Sequence, residues 1–406
     1  MELNREIVKR NIGVEKRIEA TVREILADVR LNGDSAVKKY SDKFDKPFEM
    51  GEIVSMGEIV SDDFICILER AKTQIEEFHK KQISSGFEIT KDNGVVMGQF
   101  IRPIERVAVY VPGGTACYPS SVLMNIIPAK LAGVKEIAIF TPQPNNIVKV
   151  AAKVCGVDTI YQIGGAQAIG AAAYGTETIP KFDKIVGPGN AYVAEAKRQV
   201  YGVCDIDMVA GPSEILIIAD ENANPKYIAA DLMSQAEHDE FAQSILMTTS
   251  ENLIREVEKE LDYQIQGLSR KDIIKKSLEN NGCAILVDNL DKAFEFSNNI
   301  APEHLEILLD NPMQYLDKIQ NAGSIFLGEY TPEPLGDYMS GTNHVLPTGG
   351  TAKFYSPLGI YDFIKYSSYS YYPKDELENF KDDVVNFANL EGLDAHANSI
   401  EVRFND

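Results

Sequence analysis

The stretch RVAVYVPGGTACYPSSVLMNIIPAKLAGVKEIAIF, residues 106–140, decides the fold. It begins with a short β-branched run, passes through a turn rich in glycine and proline, and continues into an apolar helical segment before a second apolar run. Short apolar runs that alternate with helical segments predict βαβ units, in which neighbouring strands are parallel. The alternation continues to about residue 200, which predicts a parallel sheet flanked by helices.

A second series of the same kind begins with EILIIAD at residues 214–220. Its later apolar runs are AQSILMT, CAILV, LEILL and SIFLG, and helices are predicted at about 224–239, 251–262 and 291–299. The predicted fold class is α/β, with two incomplete Rossmann-like parallel-sheet domains and short helical N- and C-terminal tail segments. No sequence repeat relates the two series.

The two ends of the chain have a different character. The first hundred residues alternate charged and apolar residues at helical spacing, and Gly33 closes one of the predicted helices. The segment after KYSSYSYYPKDE is too short for its own core, so it is predicted to pack on a second subunit. The predicted domains are an N-terminal helical tail (1–22), a discontinuous first α/β domain (23–108 plus 215–357), a second α/β domain with the glycine-rich turns (109–214) and a C-terminal tail (358–406).

Composition argues against several classes of partner. The 406 residues carry a formal net charge of −21, which disfavours nucleic acid or an anionic membrane surface as the main partner. The N-terminus lacks an apolar signal region and no apolar stretch approaches the roughly 20 residues of a membrane span, so a soluble cytoplasmic protein is predicted. The five cysteines, Cys117 among them, form no C-x-x-C pair and are interpreted as reduced packing residues.

Four of the five histidines lie between residues 238 and 396, each in a stretch dense with other metal-ligating or acid/base groups. Because histidine both ligates metals and titrates near neutrality, this concentration indicates a functional site. The four stretches are SQAEHD (234–239), APEHLE (301–306), LGDYMSGTNH (335–344) and EGLDAHA (391–397). The fifth histidine, His79 in EEFHKKQ, is predicted to be an exposed helical residue.

Gln235 and His238 are the first candidates for metal binding. They are three residues apart on a predicted helix, so both side chains can reach one metal, although a polar helix end explains them as well. Asp337 and His396 supply an oxygen and a nitrogen ligand of the kinds that zinc takes. No spacing rule links these distant residues to that helix.

Glu303 and His304 precede the apolar run LEILL, at the mouth of a predicted strand. A carboxylate and an imidazole together supply general acid/base capacity near neutral pH. Neighbouring residues on a strand point to opposite faces, so both reach one cleft only where the backbone is still loop-like. An ordinary surface Glu-His pair is the alternative interpretation.

Three glycine-rich turns follow predicted strands, in VPGGTACYPSS (111–121), GGAQAIG (164–170) and VGPGNAY (186–192). Together they would line the carboxyl edge of the sheet, where α/β proteins bind ligands, which favours a nucleotide-like ligand over three purely structural turns. The G-x-G-x-x-G fingerprint is absent, because Tyr192 stands at the place of the third glycine.

These motifs together resemble the histidinol dehydrogenase family, from about residue 105 to the end of the chain. The matching stretches are VPGGTACYPSSVLMNIIPAK, GGAQAIGAAAYGT, DKIVGPGNAYVAEAKRQV, DMVAGPSEILIIAD, SQAEHD, NIAPEHLEI, LGDYMSGTNHVLPT and EGLDAHA. The resemblance implies oxidation of L-histidinol through L-histidinal to L-histidine, the last two steps of histidine biosynthesis. It also implies two NAD per reaction, one zinc per site and a homodimer.

The resemblance assigns roles residue by residue. The implied zinc ligands, which also contact the substrate, are Gln235, His238, Asp337 and His396. The implied acid/base pair is Glu303, which activates water, and His304, the general base that also contacts the substrate. The remaining substrate contacts are Ser213, His344 and Glu391. The implied NAD contacts are Tyr110, Gln167 and Asn190.

The family also takes the tail residues Glu391 and His396 from the partner subunit, which would give the short tail a function. Cys117 departs from the usual alanine or proline, but no acid/base neighbour in its segment would make it a thiolate nucleophile. Two alternatives stay open from the residues: a zinc hydrolase that uses Glu303 and His304 without NAD, and a non-catalytic nucleotide- or metal-binding module.

Overall fold

The structure is a computed structural model that describes residues 3–6, 16–45, 61–113 and 118–405. Cys117 therefore lies outside the described residues. The chain divides into two compact units. We call Met1–Gln82 with Ile104–Phe363 the larger unit, and Ile83–Pro103 with Ile364–Asp406 the smaller unit.

Strands and helices alternate through most of the described residues. The strands are β1 (Phe87–Thr90), β2 (Val96–Pro103), β3 (Arg106–Tyr110), β4 (Glu136–Phe140), β5 (Ile160–Tyr161), β6 (Lys184–Val186), β7 (Asp205–Ile206), β8 (Glu214–Ala219), β9 (Gln243–Thr248), β10 (Cys283–Leu286), β11 (His304–Leu308), β12 (Ser324–Leu327) and β13 (Ile364–Tyr371). The helices are α1 (Lys16–Phe44), α2 (Asp62–Lys80), α3 (Pro119–Ala132), α4 (Asn146–Val154), α5 (Gly165–Tyr174), α6 (Ala191–Val200), α7 (Pro225–Ala236), α8 (Glu251–Gln264), α9 (Lys271–Asn281), α10 (Leu290–Ile300), α11 (Glu333–Tyr338), α12 (Lys374–Leu390) and α13 (Asp394–Glu401).

The first series of apolar runs forms a five-stranded sheet in the larger unit. Its strand order is β5-β4-β3-β6-β7, and every pairing is parallel. Strand β3 is buried on both faces, because Val107 and Val109 pack in one core cluster while Ala108 and Tyr110 pack in another. Strands covered on both faces have nearly continuous apolar sequences, which is why RVAVYV predicts this sheet correctly.

The second series forms a five-stranded parallel sheet of the same design, with strand order β10-β9-β8-β11-β12. In both sheets the first strand is central, the second and third lie on one side, and the fourth and fifth on the other. Ile215 and Ile217 face one core cluster, and Leu216 and Ile218 face another. The prediction of two Rossmann-like parallel sheets is confirmed, and their shared order exists without a sequence repeat.

The smaller unit contains an antiparallel sheet that the sequence analysis did not predict. Strand β2 pairs with β1 on one side and with β13 on the other, in a register that joins Ile364 to Pro103. Residues of β1 are exposed throughout, and β13 is exposed from its second residue onward. Neither strand therefore contains the continuous apolar run that marks the buried strands of the two parallel sheets.

Several local predictions need correction. His79 is wholly buried, not exposed, and its Nδ1 lies 2.8 Å from the carbonyl oxygen of Ile75. The prediction that a helix ends at Gly33 is confirmed, because its φ of 49° and ψ of −129° divide α1 into two helical segments. Helix α7 ends at Ala236, so His238 lies beyond it, and α9 was not predicted.

The finer partition into four domains is not tested by these contacts and stays a prediction. Within the described residues, each helix is either too short or too polar to cross a bilayer. The cytoplasmic location likewise stays a prediction from the sequence.

Candidate active site at the amino ends of two strands

Glu303 and His304 lie where β11 begins, beside the central strand β8 of the second sheet. His304 is the first residue of β11 and pairs in register with Ile215. Just before the pair, Ala301 adopts a left-handed φ of 54°, which turns the chain into the strand. Parallel sheets commonly bind ligands at the carboxyl ends of their strands. This site instead occupies the amino edge of the second sheet.

The ring of His304 is held in one tautomer. Its Nδ1 lies 2.9 Å from the backbone carbonyl oxygen of Glu214. Because a carbonyl can only accept, Nδ1 carries the hydrogen and Nε2 keeps its lone pair. Burial lowers the pKa of His304 to about 4, so the ring is neutral at pH 7. A neutral imidazole with an unprotonated Nε2 is a competent general base.

The carboxylate of Glu303 is also oriented by β8. Its Oε2 accepts a hydrogen bond of 2.8 Å from the backbone N–H of Glu214. The same oxygen lies 3.7 Å from Nδ1 of His304, and both side chains are buried. The surface-pair interpretation of Glu303 and His304 is therefore wrong.

Asp337 belongs to the short helix α11 and lies beside His304. Ligand atoms of His304, Glu333 and Asp337 all lie within 4.8 Å of one another, an arrangement that could hold a metal ion. Nδ1 of His344 lies 3.4 Å from Oδ1 of Asp337. Burial opposes ionisation of Asp337, but the hydrogen bond and charge of His344 outweigh it and lower the pKa of Asp337.

Glu333 was missed by the sequence analysis. It lies one helical turn before Asp337 in α11, and its Oε1 lies 3.7 Å from Nε2 of His304. Burial first, and then the charge of Asp337, raises the pKa of Glu333 to about 9. The i, i+4 spacing from Asp337 was the signal that could have placed Glu333 on the same helix face.

Gln235 gives a test of whether a metal fits here. Its side chain is fully buried, yet neither its Oε1 nor its Nε2 has a hydrogen-bond partner among the described residues. An unsatisfied buried amide costs about 1–3 kcal/mol, which a ligand can offset. The neighbouring Ser234 contacts Glu333 at 3.5 Å, so the end of α7 adjoins the cluster around Asp337. The unpartnered Oε1 of Gln235 is an oxygen donor that fits a zinc ion.

A family model described as histidinol dehydrogenase matches residues 8–404. The chain belongs to the histidinol dehydrogenase family. It is 58% identical to histidinol dehydrogenase of Lactococcus lactis, over 98% of this chain and 95% of that protein. It is also 58% identical to histidinol dehydrogenase of Clostridium acetobutylicum, over 95% of this chain and 92% of that protein.

The fold agrees with this assignment. The crystal structure of histidinol dehydrogenase from Elizabethkingia anophelis superposes with a TM-score of 0.90 and 40% identity, covering 98% of this chain and 94% of that one. The resemblance in the motifs is therefore confirmed, and the chain is an oxidoreductase of the histidinol dehydrogenase family.

Of the other residues that match the histidinol dehydrogenase pattern, two lie near His304 or Asp337 and three are exposed. Ser213 directly precedes β8, at the same edge as His304, and His344 contacts Asp337 on one side and Ser121 of α3, at 3.4 Å, on the other. His238 follows α7 and is exposed. Glu391 and His396 belong to the smaller unit, at the end of α12 and within α13, and both are exposed.

The three glycine-rich turns meet at the carboxyl edge of the first sheet. Pro142 lies so close to Gly113 and Gly164 that an added Cβ would come within 2.3 and 2.7 Å of it. Gly187 has a φ of +106°, and its Cβ position lies 2.1 Å from the carbonyl oxygen of Tyr110. These glycines are required because the turns pack against one another.

The residues implied for NAD shape these turns. The hydroxyl of Tyr110 accepts from the N–H of Gly165, and Nε2 of Gln167 donates to Asp45. Asn190 is exposed and caps α6. Helices α3 and α5 begin without a cap from their own N-cap residues. At α5 the N–H groups of Gly164 and Gly165 are already bound, by Asp45 and by the Tyr110 hydroxyl. The start of α3 therefore fits an anionic group such as the pyrophosphate of NAD better than the start of α5 does.

A buried ion pair holds the turn between β6 and α6. The Lys197 ammonium contacts the Asp207 carboxylate and donates to the carbonyl oxygen of Gly187 at 2.9 Å. Asp207 in turn accepts from the N–H of Gly187 at 2.8 Å. The N–H and the carbonyl oxygen of Gly187 are therefore both hydrogen-bonded by this ion pair, which fixes the turn that leads to Asn190.

Replacement of Gln235 by leucine tests whether that side chain serves a ligand. In metal-free protein, Gln235→Leu should leave the free energy of unfolding unchanged or raise it by about 1 kcal/mol, because no hydrogen bond is lost and a desolvated amide is removed. The matched control is Gln167→Leu, which loses its bond to Asp45 and should be destabilised by about 1–3 kcal/mol. Urea unfolding measures both, and a loss of stability in Gln235→Leu would contradict a ligand role.

Protonation of His304 should weaken the metal-free protein in acid. Since burial lowers the folded-state pKa to about 4 from the ordinary 6.5, the unfolded chain binds the proton first. The contribution of neutral His304 to the free energy of unfolding is intact above pH 6.5. It is lost as the pH falls toward 4, by about 3 kcal/mol in total. Urea unfolding across this range should show wild type losing that amount relative to His304→Gln. A difference that does not vary with pH would refute the assignment.

Proposed function

We propose that the protein oxidises L-histidinol through L-histidinal to L-histidine with two NAD, the last two steps of L-histidine biosynthesis. The observation that carries the proposal is the buried pair at the start of β11. His304 is neutral, has a defined tautomer and lies beside an oriented carboxylate, Glu303. Membership of the histidinol dehydrogenase family supports the choice of substrate.

The proposed zinc ligands are Gln235, His238, Asp337 and His396. Zinc, when bound, would act as a Lewis acid that holds the imidazole and amine of the substrate. The unpartnered amide of Gln235 and the position of Asp337 beside His304 support this set. Further contacts to histidinol are proposed for Ser213, His344 and Glu391.

NAD is proposed to lie against the glycine-rich turns, with contacts from Tyr110, Gln167 and Asn190. When bound, it accepts the hydride in each oxidation. Tyr110 and Gln167 are buried, so they would orient the turns. Asn190 is exposed in the turn before α6. The uncapped start of α3 supports binding of a pyrophosphate.

His304 would take the hydroxyl proton of histidinol on Nε2 while the carbinol hydrogen departs as hydride. Its Nδ1–H stays bonded to the Glu214 carbonyl, which stabilises the imidazolium that forms. Glu303 would then accept a proton from the water that adds to histidinal, while the His304 imidazolium gives its proton to the former carbonyl oxygen. This step forms the hydrate and returns His304 to its neutral state. The resulting hydrate loses its hydroxyl proton to His304 and the second hydride departs, which leaves the carboxylic acid.

A homodimer is proposed because the smaller unit exposes many apolar side chains. Within α12 the buried residue is Ala388, whereas Phe380 and Phe387 are exposed, as are Leu390 and Leu393 near the helix end. A helix with so much apolar surface is typical of an interface. The proposal places Glu391 and His396 in the active site of the partner subunit.

The stoichiometry of NADH formation tests the reaction. Each alcohol-to-acid conversion removes four electrons, so complete consumption of L-histidinol should yield two NADH per molecule. Removal of zinc with a chelator should abolish turnover, and added zinc should restore it, while circular dichroism stays largely unchanged because both cores are large. A yield of one NADH would contradict the second oxidation, and a zinc-bound protein that forms no NADH would favour a hydrolase.

Mixing of inactive variants tests the shared site. His396→Ala and His304→Ala homodimers should each be inactive, whereas dimers that contain one chain of each should regain activity in one of their two sites. Differently tagged chains allow the mixed dimers to be purified before the assay. Verified mixed dimers without any activity would count against exchange of the tail.

A further inference from the structure

We propose that Glu214 is a positioning residue that holds Glu303 and His304 and joins them to the loop after His344. The inference rests on the proposed function, because it gives Glu214 a part in the same two oxidations. Glu214 is the first residue of β8 and is 4% exposed. Its neighbour Ser213 is a proposed substrate contact, whereas Glu214 is proposed to act through Glu303 and His304.

Glu214 contacts both members of the pair. Its N–H donates to Oε2 of Glu303 at 2.8 Å, and the N–H of Glu303 is 3.4 Å from Oε2 of Glu214. Its carbonyl oxygen accepts from Nδ1 of His304 at 2.9 Å. The two glutamates therefore hold each other reciprocally, and the same residue sets the histidine tautomer.

The carboxylate of Glu214 also reaches the loop after His344. Its Oε1 accepts from the N–H of Gly349 at 2.8 Å. A second hydrogen bond holds the same loop near the start of β8: the hydroxyl of Thr348 accepts from the N–H of Gly211 at 2.6 Å. The side chain of Glu214 therefore spans two backbone N–H groups, that of Glu303 just before β11 and that of Gly349 in this loop.

Burial makes a purely structural role for this carboxylate expensive. A carboxylate removed from water costs several kcal/mol, and an apolar side chain could fill the start of a strand at lower cost. What an apolar side chain cannot do is accept hydrogen bonds from Glu303 and Gly349 at once. The geometry is therefore best explained by fixed placement of the catalytic pair.

Glu214→Gln is the variant to test, since it preserves volume but replaces one acceptor oxygen by an NH2 group. In zinc-loaded enzyme, kcat for histidinol oxidation should fall by up to about 100-fold, because a displacement of about 1 Å in a catalytic group has this effect. Zinc content and KM for histidinol should be unchanged, because the proposed metal ligands are intact. Glu214→Asp keeps both oxygens and should recover part of the lost kcat.

Glu195→Gln is the matched control. Glu195 is a fully buried glutamate of α6 that binds Arg198 and Gln199, and its replacement should leave kcat unchanged. Unchanged kcat in Glu214→Gln, or a loss that comes with loss of zinc, would overturn the positioning role alone. Wild-type enzyme that forms no NADH from histidinol would instead refute the proposed function.

A measurement on wild type keeps the inference testable if Glu214→Gln does not fold. The bond to the Glu214 carbonyl requires the Nδ1–H tautomer of His304. Nitrogen-15 NMR of histidine-labelled enzyme, assigned by the missing signals of His304→Gln, should show this tautomer. The Nε2–H tautomer would overturn the inference whatever the activity.

Discussion

The parallel pairing of β8 with β11 is the constraint on which the site depends. It places His304 beside Ile215, so that the carbonyl of the preceding Glu214 meets the imidazole. A shift of register by one residue would turn every side chain of β11 to the other face of the sheet. The apolar residues that bury both faces of β8 and β11 therefore maintain the tautomer of the proposed base, although they do not touch it.

Around this pair, the protein keeps several polar groups in costly surroundings. Gln235 lacks partners for its amide, and Oε1 of Glu333 is buried without a hydrogen bond among the described residues. Beneath them, burial raises the pKa of Glu306 well above its usual range and that of Asp231 to about 6. Glu306 also accepts from the N–H of Glu333, which fastens the start of α11. Such costs persist where groups are arranged for a ligand and not for stability.

Much of the larger unit was predictable because its strands are covered on both faces. Apolar runs such as RVAVYV and EILIIAD then indicate strands directly, without any alternation to interpret. The smaller unit escaped prediction because β1 and β13 are exposed, so no continuous apolar run marks them as strands. His79 was misjudged for a related reason, since charged neighbours in sequence do not reveal which face of α2 packs inward.

The site itself was predictable in part. Glu303 and His304 stand next to each other in the sequence and are buried together at the start of β11. The predicted helical pairing of Gln235 with His238 was less informative, because α7 ends at Ala236 and His238 lies beyond it. Glu214 and Glu333 were missed because their contacts join segments 89 and 27 residues apart. Contacts of this kind follow from strand order and register, which composition and periodicity do not specify.

The shared strand order of the two sheets has a consequence for how the chain can change. The second sheet meets the proposed chemistry at its amino edge, so the loops after β8 and β11 at its carboxyl edge hold no residue of that site. Glu221 and Asn222 after β8, and Asp310 and Asn311 after β11, are exposed there. Surface loops without binding residues tolerate insertions. The loops after β8 and β11 are therefore the places at this edge where we expect a lengthened loop to leave the site intact, whereas the segment after β12 leads directly into α11 and its Glu333 and Asp337.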